Sequence, residues 1–246
     1  MRYAPGFLIG VVAVVALAAM VPAVGRTATV RALIVTGGHD FERDAFFAVF
    51  SAQEGLQWRE AIQPAANDEY TDERAEGYDV IVLYDLVQDI GEAQKADLLA
   101  RVREGKGLVV VHHALGSYEA WPEWWKVVGG HYLMAPERVD GKDLPASTYE
   151  HGLDMNVQIV DRHHPVTRGL KDFTIRDEAY GGYWVSPDVN VLLRTDCPKS
   201  TPEIAWAHRV GKGRVVTIQL GHDHFAYENP SYRRLVGNAI RWCARH

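Results

Sequence analysis

Apolar runs alternate with amphipathic stretches along the first half of the chain. The apolar runs cover residues 30–38, 78–86 and 107–111 (VRALIVTGG, YDVIVLYDL and GLVVV), and a shorter run, LQWREAI, lies between the first two. Continuous apolar runs of this length are typical of strands buried on both faces. The stretches ERDAFFAVFSAQEG and GEAQKADLLARVREGKG separate them, with apolar residues at helical spacing and glycine near each end. This alternation predicts an α/β fold with a doubly wound, mainly parallel sheet.

The pattern changes beyond about residue 134. The stretch MAPERVDGKDLPASTYEHG has no periodicity and is expected to be a long loop, whereas DMNVQIVD, FTIRDEAYGGYW and VNVLLRTD have the composition of strands in a β-rich insertion. Two strands joined by a Gly-Lys-Gly turn and a final helix, SYRRLVGNAIRWCA, then return the chain to an α/β pattern. No linker divides the chain, so we expect residues 28–246 to form a single domain.

The N-terminal segment, residues 1–26, has the plan of a secretory signal peptide. A basic residue near the start precedes an apolar run over residues 7–21, and small residues follow it. We therefore expect the protein to be periplasmic or secreted. The alternative is an uncleaved N-terminal anchor, although a run of about 15 residues is short for a full membrane span.

The charge balance narrows the classes of partner. Residues 1–26 carry two basic and no acidic residues, which leaves 24 basic against 32 acidic residues and a formal net charge of −8 on the remainder. An acidic surface argues against nucleic acid or anionic lipid as a partner and fits a neutral or cationic ligand, including a metal. Cys197 and Cys243 are equally compatible with a disulfide and with free thiols.

Polar side chains lie at the carboxyl ends of four of the predicted parallel strands. In chain order they are His39 and Asp40, Tyr84, His112 and His113, and His222, Asp223 and His224. Because the carboxyl ends of parallel strands meet at one edge of a sheet, this placement predicts a functional cleft there.

Imidazoles beside carboxylates have two main chemical uses. The first is general acid–base catalysis, for which we expect His113 and His222 to transfer protons and Asp223 to orient one of them. The second is a divalent metal such as zinc, held by His39, His113 and His222 with one position open. A third interpretation is that individual histidines only cap buried strands through hydrogen bonds. The sequence leaves these alternatives open.

Aromatic residues near the cleft favour a carbohydrate ligand, since aromatic faces cover the C–H face of a pyranose. Trp121 begins the helix after the third strand, and Glu178 and Tyr180 lie in RDEAYGGYW. We expect these three side chains, with His39, Asp40, Tyr84, His112 and His224, to contact the substrate.

Most of the chain resembles the trehalose-utilisation (ThuA-like) family. The stretches that carry the resemblance are RALIVTGGHDFE, YDVIVLYDL, GKGLVVVHHALGSYEAWPEWWKVVGGHY, HHPVTRGLKDFTIRDEAY and AHRVGKGRVVTIQLGHDHFAYENPSYRRLVGNAIRWC. The resemblance implies a flavodoxin-like fold of the class I glutamine amidotransferase type and an association with sugar metabolism. When HHALG is laid on the Gly-x-Cys-x-Gly turn of that superfamily, Ala114 takes the place of the nucleophile. Glutamine hydrolysis through a cysteine thioester is then excluded.

These observations together predict an exported carbohydrate-active hydrolase, lyase or isomerase that acts on a glycoside or a keto-sugar derivative. The alternative is a non-catalytic module for sugar binding or assembly. Homodimerisation through the Trp-rich helix is a further expectation.

Overall fold

The computed structural model describes residues 1–3 and 29–245 of the 246-residue chain. The apolar run of the predicted signal peptide therefore lies outside the described residues. Within the described ranges, no helix combines the length and the apolar character needed to cross a membrane.

A nine-stranded sheet organises the described part of the chain, and two small strand pairs accompany it. The strands are β1 (Val30–Gly37), β2 (Leu56–Ile62), β3 (Val80–Asp85), β4 (Gly107–Val111), β5 (Gly130–His131), β6 (Glu137–Val139), β7 (Lys142–Leu144), β8 (Thr148–Ile159), β9 (Phe173–Gly181), β10 (Trp184–Val185), β11 (Asn190–Thr195), β12 (Glu203–Val210) and β13 (Gly213–Ile218). The spatial order of the large sheet is β2-β1-β3-β4-β13-β12-β11-β8-β9.

The first five strands of this order are parallel to one another. Their arrangement is the flavodoxin-like order, with β13 in the place of the fifth strand. Every residue of β3 and of β4 is buried, as their continuous apolar sequences indicate. The predicted doubly wound, mainly parallel α/β sheet is confirmed.

The predicted β-rich insertion is not a separate layer. Its strands β8, β9 and β11 continue the large sheet in antiparallel pairing beyond β12. The prediction of a long loop was wrong in part, because its residues include the hairpin β6–β7 and the start of β8. The residues of β6 and β7 and the first residues of β8 are mostly exposed, so they lack the alternation of apolar and polar positions by which a strand is recognised.

Helices cover both faces of the sheet. They are α1 (Arg43–Ser51), α2 (Asp72–Ala75), α3 (Glu92–Glu104), α4 (Pro122–Val128), α5 (His224–Glu228) and α6 (Pro230–Cys243). Helices α1, α5 and α6 bury their apolar side chains in one core, and α2, α3 and α4 bury theirs in a second core. The carboxyl ends of the parallel strands remain accessible between the two layers.

Helix α6 shows how the sequence determines this packing. Pro230 lies in the first turn, where a missing N–H breaks no helical hydrogen bond, and the Asn229 side chain accepts hydrogen bonds from two backbone N–H groups. A Cβ at Gly107 of β4 would lie 2.6 Å from the backbone of Cys243, so glycine permits this close approach. Cys243 and Cys197 are both free thiols, which decides between the two alternatives left by the sequence.

Candidate functional site

Strand β4 ends in a sharp turn at His112. The φ angle of this residue is +53°, a left-handed conformation that costs a non-glycine residue about 1–3 kcal/mol. The resemblance placed Ala114 at the tip of this turn, but Ala114 lies two residues beyond His112 in the same 3-10 turn, His112–Gly116. Neither residue has the thiol that a cysteine thioester requires. The strain turns the fully buried ring of His112 toward the carboxyl edge of the sheet.

Strand β9 brings two adjacent carboxylates to the site. Because side chains alternate along a strand, Asp177 faces the core and Glu178 points the other way, on the same face as Tyr180. The Asp177 carboxylate accepts hydrogen bonds from the backbone N–H groups of Glu178 (2.8 Å), Gly221 (2.7 Å) and His222 (2.9 Å). These bonds tie β9 to the loop that follows β13.

Three side chains from different elements meet at one point, and we call them the His/Glu cluster: His112, Glu178 and His222. Glu178 Oε2 lies 2.9 Å from His112 Nε2 and 3.1 Å from His222 Nδ1, and the two imidazole nitrogens are 3.1 Å apart. The Tyr180 hydroxyl is 3.0 Å from His112 Nε2. On the other side of the ring, His112 Nδ1 is 2.7 Å from the backbone carbonyl oxygen of Gln219. The cluster is therefore fixed from several directions.

His151 is a site residue that the sequence analysis missed. It lies on β8 in a β-bulge, where His151 and Gly152 together oppose Glu178 of β9. The bulge uses a left-handed glycine, Gly152 at φ +69°, and bulges re-aim side chains next to functional sites. His151 Nδ1 consequently reaches Glu178 Oε1 at 3.2 Å, while the ring stays 57% exposed. The only signal in the sequence was a His-Gly pair inside a stretch interpreted as a loop.

The electrostatics of the cluster are dominated by Glu178. Burial alone would raise its pKa, but hydrogen bonds with His112 and His222 outweigh burial and hold the pKa of this carboxyl well below its usual range. The same hydrogen bond to Glu178 raises the pKa of His222. Burial, together with the neighbouring His112 and His39, lowers the pKa of His113 well below its usual value. Glu178 is thus ionised and His113 neutral near pH 7.

A cavity of about 240 Å³ opens above the His/Glu cluster. Its walls include His39, His113, Tyr132, Met134, Tyr149, His151, Glu178 and Tyr180. The ring of His39 stacks on His113 with a centroid distance of 4.5 Å, and His39 itself is exposed. The predicted cleft at the carboxyl edge of the parallel strands thus exists as a cavity lined by aromatic and imidazole rings.

The other predicted site residues lie outside this cavity. Tyr84 is fully buried, and its hydroxyl is bonded to the Gly221 carbonyl and the Tyr227 hydroxyl. Asp223 caps α5 by accepting a hydrogen bond from the Phe225 N–H, so Glu178 contacts the His222 ring in the place expected for Asp223. Three further predicted residues also lie outside the cavity. Asp40 is exposed next to His39, and His224 pairs with Glu42. Trp121 stacks on Trp124 in the second core.

The side chains placed to hold a metal are not the three named from the sequence. Among the described residues, His112, Glu178 and His222 form the group whose ligand atoms all lie within 4.8 Å of one another. His113 instead directs Nε2 toward the backbone oxygen of Tyr84 at 3.3 Å, and His39 is stacked on its ring. Glu178 was expected from the sequence as a substrate contact and not as a metal ligand, because its contact with His112 and His222 depends on the curvature that brings β9 to the site.

Known proteins resemble this chain both in sequence and in fold. The sequence model of the ThuA trehalose utilisation family matches residues 31–243, essentially the whole described fold. The chain belongs to the ThuA trehalose utilisation family. No curated protein sequence matches the chain.

Solved structures agree with this assignment. A ThuA-like protein from Parabacteroides merdae ATCC 43184 superposes with a TM-score of 0.72 at 19% identity, covering 87% of this chain and 90% of the other. One from Bacteroides uniformis ATCC 8492 gives 0.67 at 20% identity, covering 89% and 92%. PurLQS from Thermotoga maritima gives 0.54 at 16% identity, covering 87% and 99%. The likeness establishes the fold of this ThuA-family chain, and the class I glutamine amidotransferase-like topology is confirmed.

Proposed function

We propose that this ThuA-family protein is an enzyme that acts on a small carbohydrate, with the His/Glu cluster and the cavity above it as the reacting centre. One observation carries the proposal. A carboxylate from β9 and an imidazole from β8 line one cavity, and two further imidazoles, one directly after β4 and one in the loop after β13, contact that carboxylate. The family's association with trehalose utilisation supports a sugar as the ligand.

The size and lining of the cavity support a ligand of one sugar unit. Its volume of about 240 Å³ is below the range of about 300–1,000 Å³ typical of small-molecule sites. Tyr132 and Tyr149 offer aromatic surface for the C–H face of a pyranose, while Glu178 and His151 offer hydrogen-bonding groups for its hydroxyls. A larger saccharide would extend past Tyr149, which is 62% exposed at the rim.

His151 is the group best placed to exchange protons with the ligand. It is exposed on the cavity side, and its Nδ1 lies 3.2 Å from the ionised Glu178. The carboxylate stabilises the imidazolium that forms when His151 Nε2 takes a proton from an attacking water molecule or from a carbon next to a carbonyl. The same ring then returns the proton to the leaving oxygen or to the neighbouring carbon. Hydrolysis, elimination and isomerisation all use this transfer.

The test is a substrate screen on the purified protein. Trehalose, simple glucosides and their keto derivatives are incubated with the enzyme, and products are followed by NMR and mass spectrometry. Glu178→Gln and His151→Ala are run in parallel, with His163→Ala as the matched control, since His163 is an exposed histidine beyond the far end of β8.

Turnover that is lost in Glu178→Gln and His151→Ala but kept in His163→Ala supports the proposal. Saturable sugar binding without turnover would contradict it and favour the non-catalytic sugar-binding module. Turnover that persists unchanged in both site variants would place the reaction elsewhere in the protein.

A further inference from the structure

We propose that the His/Glu cluster is a binding site for one divalent first-row transition metal ion, held by His112 Nε2, one carboxylate oxygen of Glu178 and His222 Nδ1. The inference concerns a cofactor and stands on the geometry of these three atoms, so it can be tested without a sugar.

The first observation is the protonation state that the hydrogen bonds impose on His112. Its Nδ1 lies 2.7 Å from the backbone carbonyl oxygen of Gln219, which can only accept, so Nδ1 carries the proton. In the neutral ring Nε2 then presents a lone pair to Glu178 Oε2, 2.9 Å away. Even if the Tyr180 hydroxyl donates to Nε2, the contact between Nε2 and Oε2 joins two acceptors. Such a contact is stable only with a cation between the two atoms, either a second proton that makes the ring an imidazolium or a metal ion.

The second observation is the spacing of the three atoms. The separations are 2.9 Å for His112 Nε2 to Glu178 Oε2, 3.1 Å for His222 Nδ1 to Glu178 Oε2, and 3.1 Å between the two nitrogens. Three ligands at right angles, each about 2.1 Å from a metal, lie about 3.0 Å from one another. The cluster therefore has the spacing of one triangular face of an octahedral site. A single shared proton would favour one short contact over the other two.

The chemistry of the ligand atoms selects the class of metal. Two imidazole nitrogens and one carboxylate form the combination that binds iron, manganese, cobalt or zinc, whereas Ca²⁺ and Mg²⁺ prefer oxygen ligands. Glu178 lines the cavity, so the remaining positions of the metal would face the cavity and accept water or a ligand oxygen.

The third observation is the support behind the ligands. Metal-binding histidines commonly donate their second ring N–H to a backbone carbonyl, as His112 does to Gln219. Two hydrogen bonds fix the backbone of His222. Its N–H donates to the Asp177 carboxylate, and its carbonyl oxygen accepts from the Tyr227 hydroxyl at 2.7 Å. The strained φ of His112 serves the same end, because it aims the ring into the cluster.

The experiment is a titration of the purified, chelator-treated protein with Co²⁺, read by visible absorption and by isothermal calorimetry. We expect one equivalent to bind the wild-type protein and to raise its melting temperature. Glu178→Gln and His222→Ala should each weaken binding by more than about 100-fold, beyond the effect of losing a supporting group. His39→Ala is the matched control, because His39 belongs to the ligand set expected from sequence but not to the His/Glu cluster.

The control separates the two ligand sets. Co²⁺ affinity in His39→Ala should stay within about threefold of wild type, as for a surface substitution. The inference is overturned if the wild-type protein shows no saturable binding of Co²⁺, Mn²⁺ or Zn²⁺, or if Glu178→Gln and His222→Ala bind like wild type. Because Glu178→Gln is nearly isosteric and His222 is only half-buried, circular dichroism of the two variants guards against loss of folding.

The two proposals fail in different ways. Metal bound at the cluster without any sugar turnover leaves the metal inference standing and contradicts the proposed function. Turnover by a protein that binds no metal leaves the enzyme proposal standing and overturns the metal inference.

Discussion

His112 Nε2 and Glu178 Oε2 lie 2.9 Å apart, although 66 positions separate the two residues in the sequence. Four strands lie between β4 and β9 in the sheet, so the sheet curls until its antiparallel edge returns to the carboxyl ends of the parallel strands. The contact is therefore a product of the whole fold. It joins the half of the chain that resembles a flavodoxin-like domain to the β-rich half.

Asp177→Asn should weaken the attachment of β9 to the loop that carries His222. The carboxylate of Asp177 accepts hydrogen bonds from three backbone N–H groups. In asparagine one carboxylate oxygen is replaced by an N–H₂ group, which cannot accept a hydrogen bond from these N–H groups. We expect a loss of about 1–3 kcal/mol in the free energy of unfolding. The measurement is urea unfolding of the variant beside Asp154→Asn, an exposed aspartate on β8 that should change little. Equal stability of the two variants would show that these bonds do not hold β9 in place.

His151→Ala should separate catalysis from stability. The side chain is 57% exposed, so its removal should leave the unfolding free energy within about 0.5 kcal/mol of wild type. If His151 transfers protons, kcat should fall by about 100- to 10,000-fold. Steady-state kinetics and thermal melts on one preparation check both parts. A variant with full kcat would exclude His151 as the proton-transfer group.

The raised pKa of the buried Asp85 carboxyl should make the stability of the protein depend on pH. Complete burial raises the pKa of this carboxyl to about 7, against 3.8 as its ordinary value. The folded state therefore holds the proton more tightly than the unfolded state. Stability contributed by the protonated form is full below about pH 4, declines as pH rises toward 7, and is lost above it.

Asp85→Asn removes this titration. We expect the variant to gain stability relative to wild type between pH 5 and pH 8, by an amount on the order of 3 kcal/mol. Urea unfolding at both pH values gives the comparison. If the stability difference between variant and wild type is the same at pH 5 and pH 8, the assigned pKa shift is wrong.

Gly107→Ala should loosen the contact between β4 and α6. A Cβ at this position would lie 2.6 Å from the backbone of Cys243, and backbone cannot move aside cheaply. We expect a loss of about 1–3 kcal/mol, the usual cost of overpacking. Gly77→Ala is the comparison, because its Cβ would be less crowded than at Gly107, with the nearest atom, the backbone oxygen of Arg74, 3.2 Å away. A denaturation midpoint for Gly107→Ala that equals that of Gly77→Ala would contradict the packing argument.

The parallel core of the fold could be predicted because its strands are continuous apolar runs, as in residues 80–85 and 107–111. The location of the site could also be predicted, since His112 and His222 follow parallel strands whose carboxyl ends meet. The residues that form the site could be predicted only in part. Glu178 and Tyr180 were expected at the cleft and line the cavity. His151 was missed, because it lies in a bulge and its position does not follow from local periodicity. Trp121 and Tyr84 are of residue types that often bind ligands, but both side chains are buried in the two cores.

Anomalous diffraction at a metal absorption edge would show directly whether a metal ion binds to the His/Glu cluster. Crystals of the protein grown with Co²⁺ or Mn²⁺ would be measured on both sides of the edge of that metal. We expect one strong peak about 2.0–2.3 Å from His112 Nε2, Glu178 and His222 Nδ1, on the cavity side of the three atoms. A peak at His39 and His113, or no peak at a fully supplemented site, would contradict it.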